Sequence, residues 1–295
     1  MANLLTIKDL TKEKLLYIID NAFYMEKNFE KMYDKYKSKI MCIAFFEPST
    51  RTKISFTAAA YRLGLRVVDF NKDTSSQKKG ETIQDTMRIL GNYFDLVVLR
   101  HPENKIYEKF SISCPLINGG DGTGEHPTQA ITDLFTIKKE FGQIDDLNIL
   151  IVGDLKNGRT VHSLLSALSY FDVNIGLYCP RELRLDNEFL DGLKNKNKIK
   201  YYEEFDISDI DVLYMTRVQY ERLGSKIKQK NIEKDYALNK ELLKKAKPSL
   251  KILHPLPRLK ELPLEIDSSK YAHYFQQAKN GIFSRMAIID YCLTE

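Results

Sequence analysis

One segment of the sequence combines residue types that bind small anions. Glu47-Pro48-Ser49-Thr50-Arg51-Thr52 follows an apolar run and precedes a helical pattern. Ser49 is placed to cap that helix, so free helix amides, hydroxyls and a guanidinium can together hold a phosphate dianion without a metal. The alternative is a purely structural role, a capped helix with a surface arginine, and the segment by itself does not exclude it.

Two further segments of the first half could meet the same ligand. Arg100 ends an apolar run, and His126-Pro127-Thr128-Gln129 opens a helical pattern after a glycine-rich loop. Ligands bind where strands end and helices begin on one edge of an α/β sheet, so Arg100, His126 and Gln129 can converge there. A histidine taken singly is more often structural than catalytic, so His126 counts only together with its neighbours.

The second half carries three segments of similar character. The run 153–160 (GDLKNGRT) has the spacing of a nucleotide P-loop, but Arg159 replaces its lysine and favours bidentate pairing, which makes ATP binding disfavoured. Arg217 and Gln219 follow another apolar run, and His254-Pro255-Leu256-Pro257-Arg258 follows the last one. The prolines stiffen that loop and could direct carbonyls at a ligand amine, although a simple turn fits equally well.

Short apolar runs and helical patterns alternate along the chain and must position these residues. The alternation predicts an α/β fold of two doubly wound parallel-sheet domains, joined by interdomain helices. The predicted strands are Ile40–Phe46, Leu65–Phe70, Asp95–Arg100, Pro115–Asn118, Leu147–Val152, Val173–Tyr178, Ile199–Phe205, Asp211–Met215 and Lys251–Leu253. The predicted helices are Lys53–Leu63, Thr82–Tyr93, Glu103–Phe110, Pro127–Phe141 and Ile282–Leu293. Two long polar connections, Asn71–Glu81 and Arg217–Tyr236, are typical of lids or binding loops.

Composition narrows the class of protein. The sequence has 295 residues, a net charge of +5 and four isolated cysteines. Isolated cysteines predict neither a disulfide framework nor a structural metal site, and no apolar stretch is long enough for a membrane span or a signal peptide. We therefore expect a cytoplasmic protein without membrane attachment. The scattered positive charge indicates solvated surface rather than nucleic-acid binding, although a basic RNA-binding protein remains a remote alternative.

Taken together and in order, six segments resemble the aspartate carbamoyltransferase family, within the aspartate/ornithine carbamoyltransferase superfamily. They are residues 46–52, 78–82, 126–129, 154–160, 217–219 and 254–258. The resemblance implies transfer of a carbamoyl group from carbamoyl phosphate to L-aspartate, an early committed step of de novo pyrimidine (UMP) biosynthesis. It also implies a carbamoyl-phosphate-binding domain (1–128 with a helix over 276–295) and an aspartate-binding domain (129–275). Neither a metal nor a cofactor is implied.

The resemblance assigns roles residue by residue. The residues implied to bind carbamoyl phosphate are Ser49, Thr50, Arg51, Thr52, Arg100, His126, Gln129, Leu256 and Pro257. Among them Arg51, Thr52, Arg100 and His126 are implied to be catalytic. The residues implied to bind aspartate are Ser75, Lys79, Arg159, Arg217, Gln219, Leu256 and Pro257.

The charged residues of these segments bear on the choice of acceptor. Two substrate carboxylates call for cations such as Arg159, Arg217 and Lys79, whereas the extra ammonium of ornithine would call for acidic partners. Aspartate is therefore expected, and a carbamoyltransferase for ornithine or another amino acid is the alternative. The family further implies a homotrimer with shared active sites, in which Ser75 and Lys79 reach a neighbouring site. A higher assembly with a separate regulatory chain is left open.

Overall fold

The computed structural model describes residues 2–71, 80–219 and 236–295. It contains nine strands and eight α-helices within these ranges. The strands are β1 (Ile40–Phe45), β2 (Arg66–Asn71), β3 (Leu96–His101), β4 (Leu116–Asp121), β5 (Asn148–Val152), β6 (Asn174–Tyr178), β7 (Ile199–Tyr201), β8 (Val212–Met215) and β9 (Lys251–Leu253). The helices are α1 (Lys12–Asn28), α2 (Thr50–Arg62), α3 (Ile83–Tyr93), α4 (Pro127–Phe141), α5 (Arg159–Leu168), α6 (Asn187–Asp191), α7 (Lys240–Leu243) and α8 (Tyr274–Thr294).

The strands form two sheets, and every pairing within them is parallel. The first sheet has the order β2-β1-β3-β4 and the second the order β7-β6-β5-β8-β9. In both, the chain winds outward from a central strand in two directions, which confirms the predicted doubly wound α/β fold. The apolar runs are buried along nearly their whole length, because helices cover both faces of such sheets.

The chain divides into two compact units, each with its own core. The first comprises the described residues of Met1–Phe135 together with Lys279–Glu295, and the second comprises those of Thr136–Ala278. Both divisions fall inside helices, α4 and α8. In the first unit Cys42, Val97 and Leu116 pack among the core residues, and in the second Leu150, Leu213 and Ile252 do so.

Three predicted elements differ most from the observed ones. No α-helix forms over 103–110, where the structure has only a 3-10 turn over Ile106–Lys109. Lys105 adopts a φ of 53°, which a regular helix cannot contain, and its amide donates to the Asp121 carboxylate. The predicted strand from Ile199 ends already at Tyr201, and the closing helix begins at Tyr274 rather than at Ile282.

The four cysteines, Cys42, Cys114, Cys179 and Cys292, are free and buried. Burial raises the pKa of Cys42 and of Cys179 to about 12, so both thiols stay protonated at neutral pH. The cysteines are therefore packing residues. Within the described ranges, no helix combines the length and the apolar character needed to cross a bilayer.

Candidate active site

The register of the first sheet brings the ends of β1, β3 and β4 to one edge. Phe45 pairs with Arg100 across β1 and β3, and the amide of Phe46 donates to the carbonyl of Arg100 at 2.8 Å. The segment that contains Ser49, Thr50 and Arg51 leaves this edge and enters α2. Parallel strands thus place the segment 47–52 beside Arg100, because their carboxyl ends meet on the same side of the sheet.

Ser49 occupies the N-cap position of α2, as predicted, but its side chain makes no capping hydrogen bond. Its backbone is extended, with φ −158° and ψ 103°. Thr50 and Arg51 are exposed in the first turn that follows. The first amides of a helix have no intrahelical acceptor, so an uncapped start leaves them as donors for an anion.

Arg100 is buried to 9 % exposure and its guanidinium is braced from both sides. One terminal nitrogen donates to the carbonyl of Gly119 at 3.1 Å, and the other lies 2.8 Å from Oε1 of Glu47. Gly119 belongs to β4, and Glu47 belongs to the connection after β1. A buried, paired arginine keeps a fixed direction, so its remaining surface is a preorganised positive contact.

Thr52 and His126 are brought together directly. The Thr52 hydroxyl lies 3.4 Å from Nε2 of His126, and the Thr128 hydroxyl lies 3.3 Å from Nδ1 of the same ring. All three side chains are buried. Because a hydroxyl can either donate or accept, the pair of contacts orients the ring in either neutral tautomer.

The glycine-rich loop before His126 is organised by Asp121, which sequence reasoning did not select. Its buried carboxylate accepts the amide of Lys105 at 2.6 Å, the side-chain amide of Asn118 at 2.9 Å and the amide of Glu125 at 2.9 Å. These bonds fix where α4 begins, and they therefore fix His126. The sequence signal was an aspartate inside a run of glycines, a common turn composition with many explanations.

Gln129 lies in the first turn of α4 and is partly exposed. Its side-chain nitrogen donates to Asp133 at 2.7 Å, one helical turn further along. Like Thr52, Arg100 and His126, it belongs to the first unit. Ser75 and Lys79 lie outside the described residues.

In the second unit, the loops after β5 and β8 meet around Asp154. This fully buried carboxylate accepts the amide of Asn157 at 2.9 Å and the amide of Gln219 at 3.2 Å. The Gln219 side chain in turn donates to the carbonyl of Asn157 at 2.9 Å. Gln219 is thereby joined to the loop that precedes Arg159, the first residue of α5.

Gly153 makes the close approach of these loops possible. It has a φ of 121°, and a Cβ at this position would collide with the backbone oxygen of Thr216. Only glycine adopts such a backbone readily. The first glycine of the P-loop-like run is therefore explained by the close packing of Gly153 against Thr216. Arg217, on the loop after β8, and Arg159, at the start of α5, are both partly exposed.

A separate network shapes the loop that carries Leu256 and Pro257. The amide of Leu256 donates to Nδ1 of His254 at 2.7 Å, so the imidazole proton lies on Nε2, which faces Oε1 of Glu261 at 3.0 Å. Leu256 has a φ of 56° and precedes a cis proline. The network holds Leu256 in this left-handed conformation, which is costly for a residue with a side chain.

Burial alone would raise the pKa of Glu261. The bonds from the His254 side chain and from the amide of Leu259 outweigh it and hold the pKa below the ordinary value. Glu261 is therefore ionised at pH 7 and lies 3.0 Å from Nε2 of His254. This pair has the composition of a catalytic dyad, but both side chains accept hydrogen bonds from backbone amides of the loop. His254 was noticed in the sequence, whereas Glu261 was not.

Comparisons with known proteins cover almost the whole chain. The family model described as aspartate/ornithine carbamoyltransferase, carbamoyl-P binding domain, matches residues 2–139. The model described as aspartate/ornithine carbamoyltransferase, Asp/Orn binding domain, matches residues 145–292. The two models follow one another in the same order as the two sheets.

Curated relatives are similar over nearly their full length. The aspartate carbamoyltransferase catalytic subunit of Methanosarcina barkeri is 44% identical over 300 residues, which covers 97% of this chain and 96% of the relative. The protein of the same name from Phocaeicola vulgatus is 42% identical and covers 97% of this chain and 93% of the relative.

Solved structures agree with the computed one. The catalytic subunit of M. jannaschii aspartate transcarbamoylase has a TM-score of 0.89 at 41% identity, covering 99% of this chain and 98% of that one. Aspartate transcarbamoylase from Trypanosoma cruzi, in complex with N-(phosphonacetyl)-L-aspartic acid, has a TM-score of 0.91 at 35% identity. That match covers 98% of this chain and 94% of the other.

Proposed function

Because the chain belongs to the aspartate/ornithine carbamoyltransferase family, we propose that it transfers the carbamoyl group of carbamoyl phosphate to L-aspartate. The products are N-carbamoyl-L-aspartate and phosphate. The observation that carries this proposal is the braced Arg100 beside the paired Thr52 and His126 at one sheet edge. The names of the similar proteins support aspartate over ornithine as the acceptor.

The first unit is proposed to hold carbamoyl phosphate. Ser49, Thr50, Arg51 and Thr52 bind the phosphate, with Arg51 beside the leaving group. The uncapped start of α2 supports this assignment, because its amides and positive dipole end favour a dianion. Gln129, with the backbone at Leu256 and Pro257, is assigned to the carbamoyl group.

The reaction is attack of a neutral amine on the carbamoyl carbon. Negative charge then develops on the carbonyl oxygen, and the carbon–oxygen bond to phosphate breaks. Thr52, Arg100 and His126 are proposed to face that oxygen and to stabilise its charge, as donors in an oxyanion hole do. The departing phosphate is the proposed acceptor of the amine proton.

The second unit is proposed to hold aspartate. Arg159 and Arg217 bind its two carboxylates, and Gln219 assists them. The bonds that converge on Asp154 support the assignment, because they join the loop that carries Arg217 to the loop that leads into Arg159. The backbone at Leu256 and Pro257 is assigned to the amine.

Assembly and cellular role follow from the family as further proposals. The chain acts as a homotrimer in which Ser75 and Lys79 of one subunit complete the aspartate site of the next, since a cyclic trimer repeats one head-to-tail contact. A regulatory chain is a candidate partner of that trimer. The enzyme serves pyrimidine biosynthesis in the cytoplasm, and four unpaired, buried cysteines fit a reducing compartment.

An acceptor assay tests the proposal. Phosphate release from carbamoyl phosphate is measured with aspartate, with ornithine and without an acceptor, and carbamoyl-aspartate is identified by mass spectrometry. Aspartate should give the fastest release, because two arginines face its carboxylates. Faster turnover with ornithine would assign the chain to the other branch of the family, and release independent of any acceptor would refute transfer.

A further inference from the structure

Gln129 is fixed in one orientation by a buried aspartate. Its Nε2 donates to Oδ1 of Asp133 at 2.7 Å, and Asp133 has no exposed surface. An ionised carboxylate only accepts hydrogen bonds, so only the NH₂ end of the Gln129 amide can face it. The carbonyl oxygen Oε1 is consequently the other end of the amide, available to a donor.

Arg285 provides a positive charge near Asp133. This arginine of α8 has 4 % exposure. Burial lowers the pKa of Arg285 to about 10, while Asp133 opposes the shift, so the guanidinium remains charged at neutral pH. A charged pair in a core is stable only when each member has its counter-ion and hydrogen bonds.

The pocket around Arg285 is specific to its guanidinium. Nη1 donates to the carbonyl of Gly281 at 2.9 Å, and Cζ lies 5.3 Å from the centre of the Phe56 ring. A Cβ on Gly281 would collide with the same nitrogen, so glycine there leaves room for the arginine. These groups all belong to the first unit.

We infer that Asp133, supported by Arg285, is a positioning residue that presents the carbonyl oxygen of Gln129 to the NH₂ group of the carbamoyl donor. The inference rests on the proposed function, because Gln129 is the residue assigned to that group. Its consequence is selectivity. A carbamoyl group donates a hydrogen bond from nitrogen, whereas an acetyl group has a methyl at the same place and cannot.

Two stable phosphonates isolate this single difference. Phosphonoacetamide and acetonylphosphonate share the phosphonate and the carbonyl, but the first ends in NH₂ and the second in CH₃. Calorimetry gives the ratio of their dissociation constants for each variant. The wild type should prefer the amide roughly three- to tenfold, the range expected for one net hydrogen bond.

Five variants locate the source of that preference. Gln129→Ala removes the acceptor and should bring the ratio close to one. Asp133→Ala should do the same, and adding it to Gln129→Ala should change nothing further, because both act through one contact. Asp133→Ala with Arg285→Met removes both buried charges and guards against misfolding. Asp290→Ala, at a buried carboxylate bonded to Asn21 and Tyr36, should keep the wild-type ratio.

The outcomes separate the inference from the proposed function. Carbamoyl transfer to aspartate by the wild type tests the function alone. Suppose that transfer is present and that the folded variant carrying Asp133→Ala and Arg285→Met keeps the wild-type preference. Asp133 then does not position Gln129. A wild-type ratio near one would equally overturn the inference. Circular dichroism establishes which variants are folded.

Discussion

Asp121 in the first unit and Asp154 in the second are both buried carboxylates near the carboxyl end of a strand. Asp121 accepts bonds from Lys105, Asn118 and Glu125, so it shapes the connections on either side of β4. Asp154 accepts the amides of Asn157 and Gln219, so it joins the loops after β5 and β8. The first carboxylate sets the start of one helix, whereas the second links two loops.

The two units also differ in the contacts that fix their candidate site residues. Arg100 is fixed by Glu47 and Gly119, and His126 by two hydroxyls, so the side chains of the first unit also brace one another. In the second unit, Gln219 and the loop before Arg159 share a single carboxylate. Losing Asp154 should therefore disturb two loops of the second unit at once, whereas losing Asp121 should act through the start of α4.

The largest effect should come from Arg51, the proposed phosphate contact. Arg51→Ala should reduce kcat at least about a hundredfold, because a charge-stabilising donor is lost from the transition state. Arg217→Ala should chiefly raise KM for aspartate and leave carbamoyl phosphate affinity close to normal. Steady-state kinetics and calorimetry measure both. Lys53→Ala is the matched control. Lys53 lies in the same helix as Arg51, and its exposed side chain pairs with Asp69.

Equal losses of carbamoyl phosphate affinity in the Arg51 and Arg217 variants would contradict the assignment of the two arginines to different substrates. A hundredfold loss in Lys53→Ala would show that α2 as a whole, rather than Arg51, had been damaged.

A smaller effect should follow from the two buried aspartates. Asp154→Asn replaces one acceptor oxygen by a donor, so the amide of Asn157 or of Gln219 loses its partner. KM for aspartate should rise about tenfold, with carbamoyl phosphate affinity retained. Asp121→Asn should show the reverse pattern, because it displaces the start of α4 and His126. Measuring both constants for both variants tests the comparison.

Should Asp154→Asn weaken both substrates alike, its role would be general stability and the contrast between the units would fail. Thermal unfolding of the two variants, recorded alongside the kinetics, shows whether the protein remains folded at the assay temperature.

The smallest effect is a stability change in acid. Arg258 binds Asp267 through both terminal nitrogens of its guanidinium group. These hydrogen bonds lower the pKa of Asp267 from 3.8 to about 2. A lowered carboxyl pKa stabilises the fold above pH 3.8, and this contribution is lost as the pH falls towards 2. Asp267→Asn should therefore unfold at a lower temperature than the wild type at pH 7, and the difference should shrink below pH 4.

Calorimetric unfolding across this pH range provides the measurement. Glu241→Gln, which removes an exposed pair with Lys244, is the control and should change the unfolding temperature little. A gap between wild type and Asp267→Asn that does not narrow in acid would contradict the role of the Asp267 charge.

The sheets were predictable because buried parallel strands leave a strong local signal. Ile40–Phe45 is an uninterrupted apolar run of a kind that only a strand covered on both sides needs. The segment 103–110 misled for the opposite reason. Its helical pattern was local, whereas the left-handed Lys105 is held by Asp121, which lies 16 residues away. Local propensity loses to such tertiary bonds.

In the candidate site, residues of unusual type were predictable and their supports were not. Arg100 and His126 stand out beside strand and helix boundaries. Asp133 lies in an ordinary helical pattern. Its inferred positioning role depends on Arg285, 152 positions later in the sequence. Glu261 follows His254 by only seven residues, but no pattern says that their side chains meet. Pairings of this kind depend on the folded backbone.

The return of α8 to the first unit affects the order in which the chain can fold during synthesis. Ser284 bonds to Thr132 at 2.7 Å, and Asp290 bonds to Asn21 and Tyr36. Roughly 140 residues separate Phe135 from Lys279, which a ribosome translates in about seven to thirty seconds. During that interval the first unit is exposed without its last helix, and Arg285 has not yet reached Asp133. A nascent chain should therefore need shielding of this open core until α8 emerges.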